Sequence, residues 1–107
     1  MDEVVEKAKV LLGNVFVLYM KAHAYHWNYI GSDFPQYHKF LNDLYEELHD
    51  SVDDIAEQIR SMDNFAPGSL ARMVELSEIK EDAQIPKPNK MFQNLYDANE
   101  TVLACLD

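Results

Sequence analysis

Apolar positions recur along most of this chain with the spacing of helices. Val4, Ala8, Leu11, Val15, Leu18, Ala22 and Tyr25 alternate steps of four and three, and Val5, Leu12, Tyr19 and His26 follow one another every seven. An α-helix turns once in about 3.6 residues, so both series line one side of it and make a stripe broad enough to need cover from two directions. Gly31-Ser32-Asp33 interrupts the pattern. Ser32 or Asp33 offers a side-chain oxygen to cap a second helix, whose first turn tolerates Pro35 because the N–H groups there lack partners in any case. That helix is expected to run to about Asp63, with Phe34, Leu41, Tyr45, Leu48, Val52, Ile55, Ile59 and Met62 on its core side. The stretch NFAPGS stops it, Ser69 is expected to start a short helix, and QIPKPN leads into a third long helix built on Met91, Leu95, Ala98, Val102 and Cys105. The closing TVLACLD carries no Gly, Pro or cap, as expected of an interrupted helix rather than a finished one.

The pattern therefore predicts an all-α fold. With 107 residues, 48% of them hydrophobic, the chain is expected to form a single domain over 1–107 with a substantial core. No apolar run approaches the length of a membrane span, and MDEVVEK has neither the basic start nor the apolar stretch of a secretion signal. A lone cysteine, Cys105, cannot form an internal disulfide and is read as a small buried hydrophobe, which makes the cytoplasm the expected location. Nineteen acidic residues against nine basic ones give a net charge of -10, which repels nucleic acid and suits soluble assemblies or cation-binding surfaces.

Candidate chemistry gathers about the first turn. His26 and His38 stand twelve positions apart, each six from Ser32. In an antiparallel helical hairpin, residues equally far from the turn lie level, so the two imidazoles are expected to face each other. One histidine on a helix is ordinarily a hydrogen-bonded interior or surface side chain, and His23 and His49 are read in that way. A level pair is different, because two neutral imidazoles converging on one point make half of a metal site.

Carboxylates further along the second helix are the natural complement. At about 100° per residue from His38, the core residues centre near -70°, Asp53 falls near +60° and Glu57 near +100°, so both acids point away from the chain's own core. Asp53 also lies about 22 Å along the axis from His38, too far for one chain to bring both to one ion. A second chain can do so: if two copies of the helix cross antiparallel about a twofold near Glu46 and Glu47, His38 of one lies level with residues around 55 of the other. Taken alone, Asp53, Asp54 and Glu57 read more readily as a solvated acidic face, as charge runs usually are.

His26-Trp27-Asn28, Gly31, Phe34, His38, Tyr45-Glu46-Glu47-Leu48 and Asp53-Asp54-Ile55-Ala56-Glu57-Gln58-Ile59 resemble the DNA-protection-during-starvation, or Dps, miniferritins. The resemblance extends over essentially the whole chain, with APGSLARMVELSEIKED as the link between the second and third long helices. It implies a ferritin-like four-helix bundle of which the fourth helix is absent from this sequence, so that apolar surface on the first and third long helices is expected to need cover. It implies further that His26 and His38 of one subunit and Asp53 and Glu57 of its twofold mate form an iron-oxidising (ferroxidase) centre, with Trp27 beside it as an oxidisable neighbour. Asp50, one turn before Asp53, is a candidate for a second iron or a bridging water and equally a plain surface acid. Tyr25 is read as core, and the Glu46-x-x-His49 spacing as coincidental, since larger di-iron bundles need two such motifs and two further glutamates.

By the same resemblance the protein is expected to be a homo-oligomer, a twofold dimer at minimum and a twelve-subunit cage in full. It would oxidise iron(II) with hydrogen peroxide or dioxygen and store the mineral inside. Relatives that bind DNA use lysine-rich tails and counterion release, whereas Met1-Asp2-Glu3 opens this chain and Lys7 and Lys9 already lie within its first helix, which argues against DNA binding through the amino terminus. Two other readings stand beside this one: a DNA-compacting module, and a Dps-like interaction protein that keeps the helical pair without a mineral-storing cage.

Overall fold

The computed structural model describes residues 2–32 and 34–106, and among them the regular elements are all helical. They are α1 (Asp2–Asn28), α2 (Phe34–Ser61), the short α3 (Leu70–Leu76) and α4 (Pro88–Cys105). The first helix is the hub. Val5, Leu12, Val15, Val17, Leu18, Ala22 and Tyr25 are all buried along it, because α2, α3 and α4 each pack against α1. Among the described residues no other pair of helices reaches backbone contact; α4 meets α2 through side chains, with Phe92 against Tyr37 at 5.0 Å and Phe40 at 6.4 Å.

Helix boundaries follow local chemistry. Ser69 caps α3 as expected, in extended conformation with its Oγ accepting from the Arg72 N–H. Pro88 opens α4, where its missing N–H costs nothing. The second helix stops at Ser61, slightly short of the expected end. Met62 and Asp63 donate to Ile59 and Arg60 in a tightened last turn, and Asp63 adopts a φ of 60°, a conformation aspartate tolerates. Ser32 makes no capping bond to α2 among the described residues, and Asp33, the other expected cap, lies outside them. Gly13 has its own reason: a Cβ there would stand 2.9 Å from both Leu76 Cβ and the Met73 carbonyl oxygen, so glycine lets α3 lie directly on α1.

The core differs in detail from the periodic reading. Leu41 and Ile59 are fully buried, but Tyr45, Leu48, Val52 and Ile55 are only half-buried, and Phe34 and Val4 are exposed. Open apolar clefts run between α2 and α4, lined by Phe40, Leu44, Phe92, Leu95 and Tyr96, and against α1, lined by Phe16, Val17, Met20 and Leu70.

The irregular segment after α3 is tied to α1 by a polar network that periodicity does not reveal. Buried Asn14 accepts from the Glu78 N–H at 2.6 Å and the Ser77 hydroxyl at 3.0 Å, and donates to Glu78 Oε1. Buried Lys21 pairs with Asp82 at 3.2 Å and donates to the Lys80 carbonyl. Tyr25 donates to the same Asp82 carboxylate and accepts from Asn94 of α4, and its burial, followed by that carboxylate, raises the phenol pKa far above normal. Cys105 is less a simple hydrophobe than expected. It is only half-buried, with Asn14 donating to its sulfur, and burial raises its pKa so that it remains a thiol.

Candidate metal centre

The last turn of α1 and the first turns of α2 hold the histidine pair. His26 is 9% exposed and His38 is half-buried; their rings stack with centroids 3.7 Å apart and planes 22° from parallel. Each is held by the other's backbone: His26 Nδ1 lies 2.9 Å from the His38 carbonyl oxygen, and His38 Nδ1 lies 3.0 Å from that of His26. A carbonyl oxygen can only accept, so both Nδ1 atoms carry protons. In a neutral ring the Nε2 lone pair is then left for something else, which is the tautomer a metal-ligating histidine needs.

These ties have a local cause. The last carbonyls of an α-helix have no intrahelical partner, and His26 supplies one of them at the end of α1; His38 satisfies it from across the hairpin. Neighbouring rings then fix the pair, with Phe34 stacked on His38 at 4.9 Å and Tyr45 edge-on to His26 at 5.1 Å. His23 stacks on Tyr45 at 3.8 Å and hydrogen-bonds the Tyr19 hydroxyl. Burial, then the nearby His26 and His49, lower the His23 pKa and favour its neutral form. Trp27 lies over His23 at 4.2 Å and is otherwise exposed. Tyr45, read in the sequence as core alone, covers His26; its place two turns after His38 on the same face was the available signal.

The carboxylates are not at this point. Asp53 and Glu57 are exposed on α2, about 22 Å and 28 Å along its axis from His38. Asp50 is exposed too, beside an opening that it shares with Glu46 and His49. Among the described residues no three His, Cys, Asp or Glu side chains gather where they could hold one metal ion. The chain thus brings His26 and His38 together and leaves Asp53 and Glu57 to face outward.

Comparison with known proteins places this geometry. A family model described as a ferritin-like domain matches residues 7–107. The chain is 35% identical over 79 residues to the DNA protection during starvation protein of Helicobacter pylori, covering 74% of this chain and 55% of that one. Its fold superimposes on the crystal structure of Dps from Staphylococcus aureus with a TM-score of 0.93 at 28% identity, covering 99% of this chain and 71% of that one. With Dps from Vibrio cholerae, described as one of the ferritin-like diiron-carboxylate proteins, the TM-score is 0.92 at 26% identity, covering 97% and 65% of the two chains. The chain spans about half the length of curated relatives such as that of Helicobacter pylori. A helical hub bearing this histidine pair, matched across nearly its whole length, belongs to the ferritin-like family, in its Dps miniferritin branch.

Proposed function

We propose that this chain is a subunit of a Dps-type cage that oxidises iron(II) at centres shared between twofold-related subunits and stores the product as mineral. His26 and His38 of one subunit and Asp53 and Glu57 of its mate would bind the iron. The observation that carries this reading is the cross-tied imidazole pair, whose two Nε2 atoms have no partner and no third ligand gathered beside them among the described residues. Such a pair is half of a site. Helix length forbids one chain from completing it, and an antiparallel second copy of α2 brings the acids level with it.

The substrate chemistry fits the donors. Imidazole retains iron(II), whereas hard anionic carboxylates favour iron(III), and four protein ligands leave positions open to an oxidant. Hydrogen peroxide accepts two electrons: two iron(II) ions and two protons convert one peroxide into two waters, so no hydroxyl radical is released. Dioxygen is the alternative oxidant. The protein would then combine iron storage with protection from peroxide, as a twelve-subunit assembly in the cytoplasm. No described helix is long and apolar enough to cross a membrane.

Complementation tests the shared site. His26→Ala/His38→Ala and Asp53→Asn/Glu57→Gln chains should each be inactive, yet unfolding them together and refolding should restore activity. Random pairing gives half mixed dimers with one intact site in two, so about a quarter of the wild-type sites should return. No recovery in mixed dimers of native mass would overturn the shared centre. Native mass of the wild type also tests the cage, which a dimer as the largest species would exclude.

A further inference from the structure

The twofold that completes the iron centre places other residues of α2 against their own copies, and this inference rests on that proposed dimer. Matching His38 with Asp53 and Glu57 of the other chain puts the dyad level with residues 46–47. Glu46 then lies within about 1 Å of the dyad level along the helix and His49 about 4 Å from it, at 1.5 Å per residue. The angles agree. Measured from His38, Glu46 stands near +80°, midway between Asp53 at about +60° and Glu57 at about +100°, so it points where those acids must point to reach the other subunit. His49, near +20°, flanks it on the same side.

Two Glu46 carboxylates would therefore meet across helices packed about 8–10 Å apart, with one His49 on either side. Apposed carboxylates drawn out of water repel unless a cation or proton separates them. Within the single chain both side chains are uncommitted. Glu46 and His49 are exposed and line one opening, and among the described residues neither has a hydrogen-bond or ion-pair partner; His49 lies against the Tyr19 ring at 5.2 Å and near His23.

We propose that Glu46 and His49 of two subunits, meeting across the dyad, form a second metal site, distinct from the iron centre, for a borderline divalent cation of the zinc class. Two carboxylates, two neutral imidazoles and one divalent ion make a neutral four-ligand set, and mixed nitrogen and oxygen donors suit zinc or cobalt(II). The Glu-x-x-His spacing that is idle in one chain is supplied twice by the symmetry. An ion held there belongs to both subunits, so it stabilises the pair that the iron centre requires.

Cobalt(II) reports the site directly, because its visible absorption strengthens sharply in four-coordinate surroundings. Oxygen-free wild-type protein should bind one such cobalt per two chains beyond those taken by the iron centres. His49→Ala and Glu46→Gln should each lose that ion and its absorption, or bind it at least tenfold more weakly, while iron oxidation per assembled dimer stays within twofold of wild type. His26→Ala/His38→Ala should do the reverse, keeping the dyad ion and losing oxidation. Both substituted positions are exposed, and circular dichroism checks that the fold persists. Dimers that complement as described above, yet show the same cobalt stoichiometry and spectrum in His49→Ala as in wild type, overturn the dyad site alone. A chain that stays monomeric with cobalt present overturns the dyad site and the shared iron centre together.

Discussion

Two sides of α1 treat their hydrogen-bonding groups in opposite ways. At Asn14, Lys21 and Tyr25 the polar atoms are paired within the chain, to the segment after α3 and to α4. At His26 and His38 one nitrogen of each ring is used, and rigid neighbours hold the ring so that the other has no partner among the described residues. A saturated network fixes structure, and a half-used one held in place is prepared for a ligand. Buried polar groups alone do not distinguish the two; the count of free lone pairs does.

Substitutions that exchange these roles should separate activity from stability. The largest effect is expected from His38→Ala, which removes a proposed ligand, the ring stacked on the other one and the bond to the His26 carbonyl. Iron oxidation, followed by the ultraviolet absorbance of iron(III), should fall by more than the roughly 10–100-fold that loss of an outer partner of a ligand costs. Lys21→Met should do the opposite. It strips a charge from the partly exposed Asp82, and after allowance for screening by water we expect about 1–3 kcal/mol lost in urea unfolding, with iron oxidation in the folded protein near wild type. A loss of activity larger than the loss of folded protein would merge the two regions into one.

Gly13→Ala probes the network from its backbone side. The new Cβ meets the Met73 carbonyl and Leu76 at 2.9 Å, so α3 must shift, at about 1–3 kcal/mol. Hydrogen exchange should report that loss in residues 70–78 and leave the hairpin around His26 protected. Equal protection throughout would mean that α3 adapts freely.

The smallest effect is a pH dependence at His23. Its folded-state pKa is lowered, by burial first and then by His26 and His49. The unfolded chain therefore takes up a proton before the folded one does as pH falls. Stability from this group is complete above the unfolded value near 6.5 and declines as pH drops from there toward the lower folded value. His23→Gln should flatten that part of the stability profile, and an unchanged slope would assign it to other groups.

Much of this was legible in the sequence because its signals are local. Gly31, Pro35, Ser69 and Pro88 act through the turns they sit in, and His26 and His38 meet because a hairpin makes sequence distance from the turn equal to height. Other features depended on chain geometry that periodicity does not encode. Asn14 reaches Glu78 and Lys21 reaches Asp82 across 64 and 61 positions, through a segment with no repeating pattern. Phe34 reads as core by spacing yet is exposed, because α2 is covered by α1 on one side only. The roles proposed for Asp53 and Glu57 would involve a second chain, so only their outward direction is visible in one.

The reciprocal ties between His26 and His38 also bear on how such a site can change over generations. Each ring orients itself on the other residue's backbone, so replacing one histidine removes a proposed ligand and also frees a helix-end carbonyl or loosens the hairpin. A lineage that lost one imidazole would keep the other at a structural cost with no chemical return, and selection would then have little reason to retain it. The two positions should therefore persist together or disappear together, and descendants carrying only one should be short-lived.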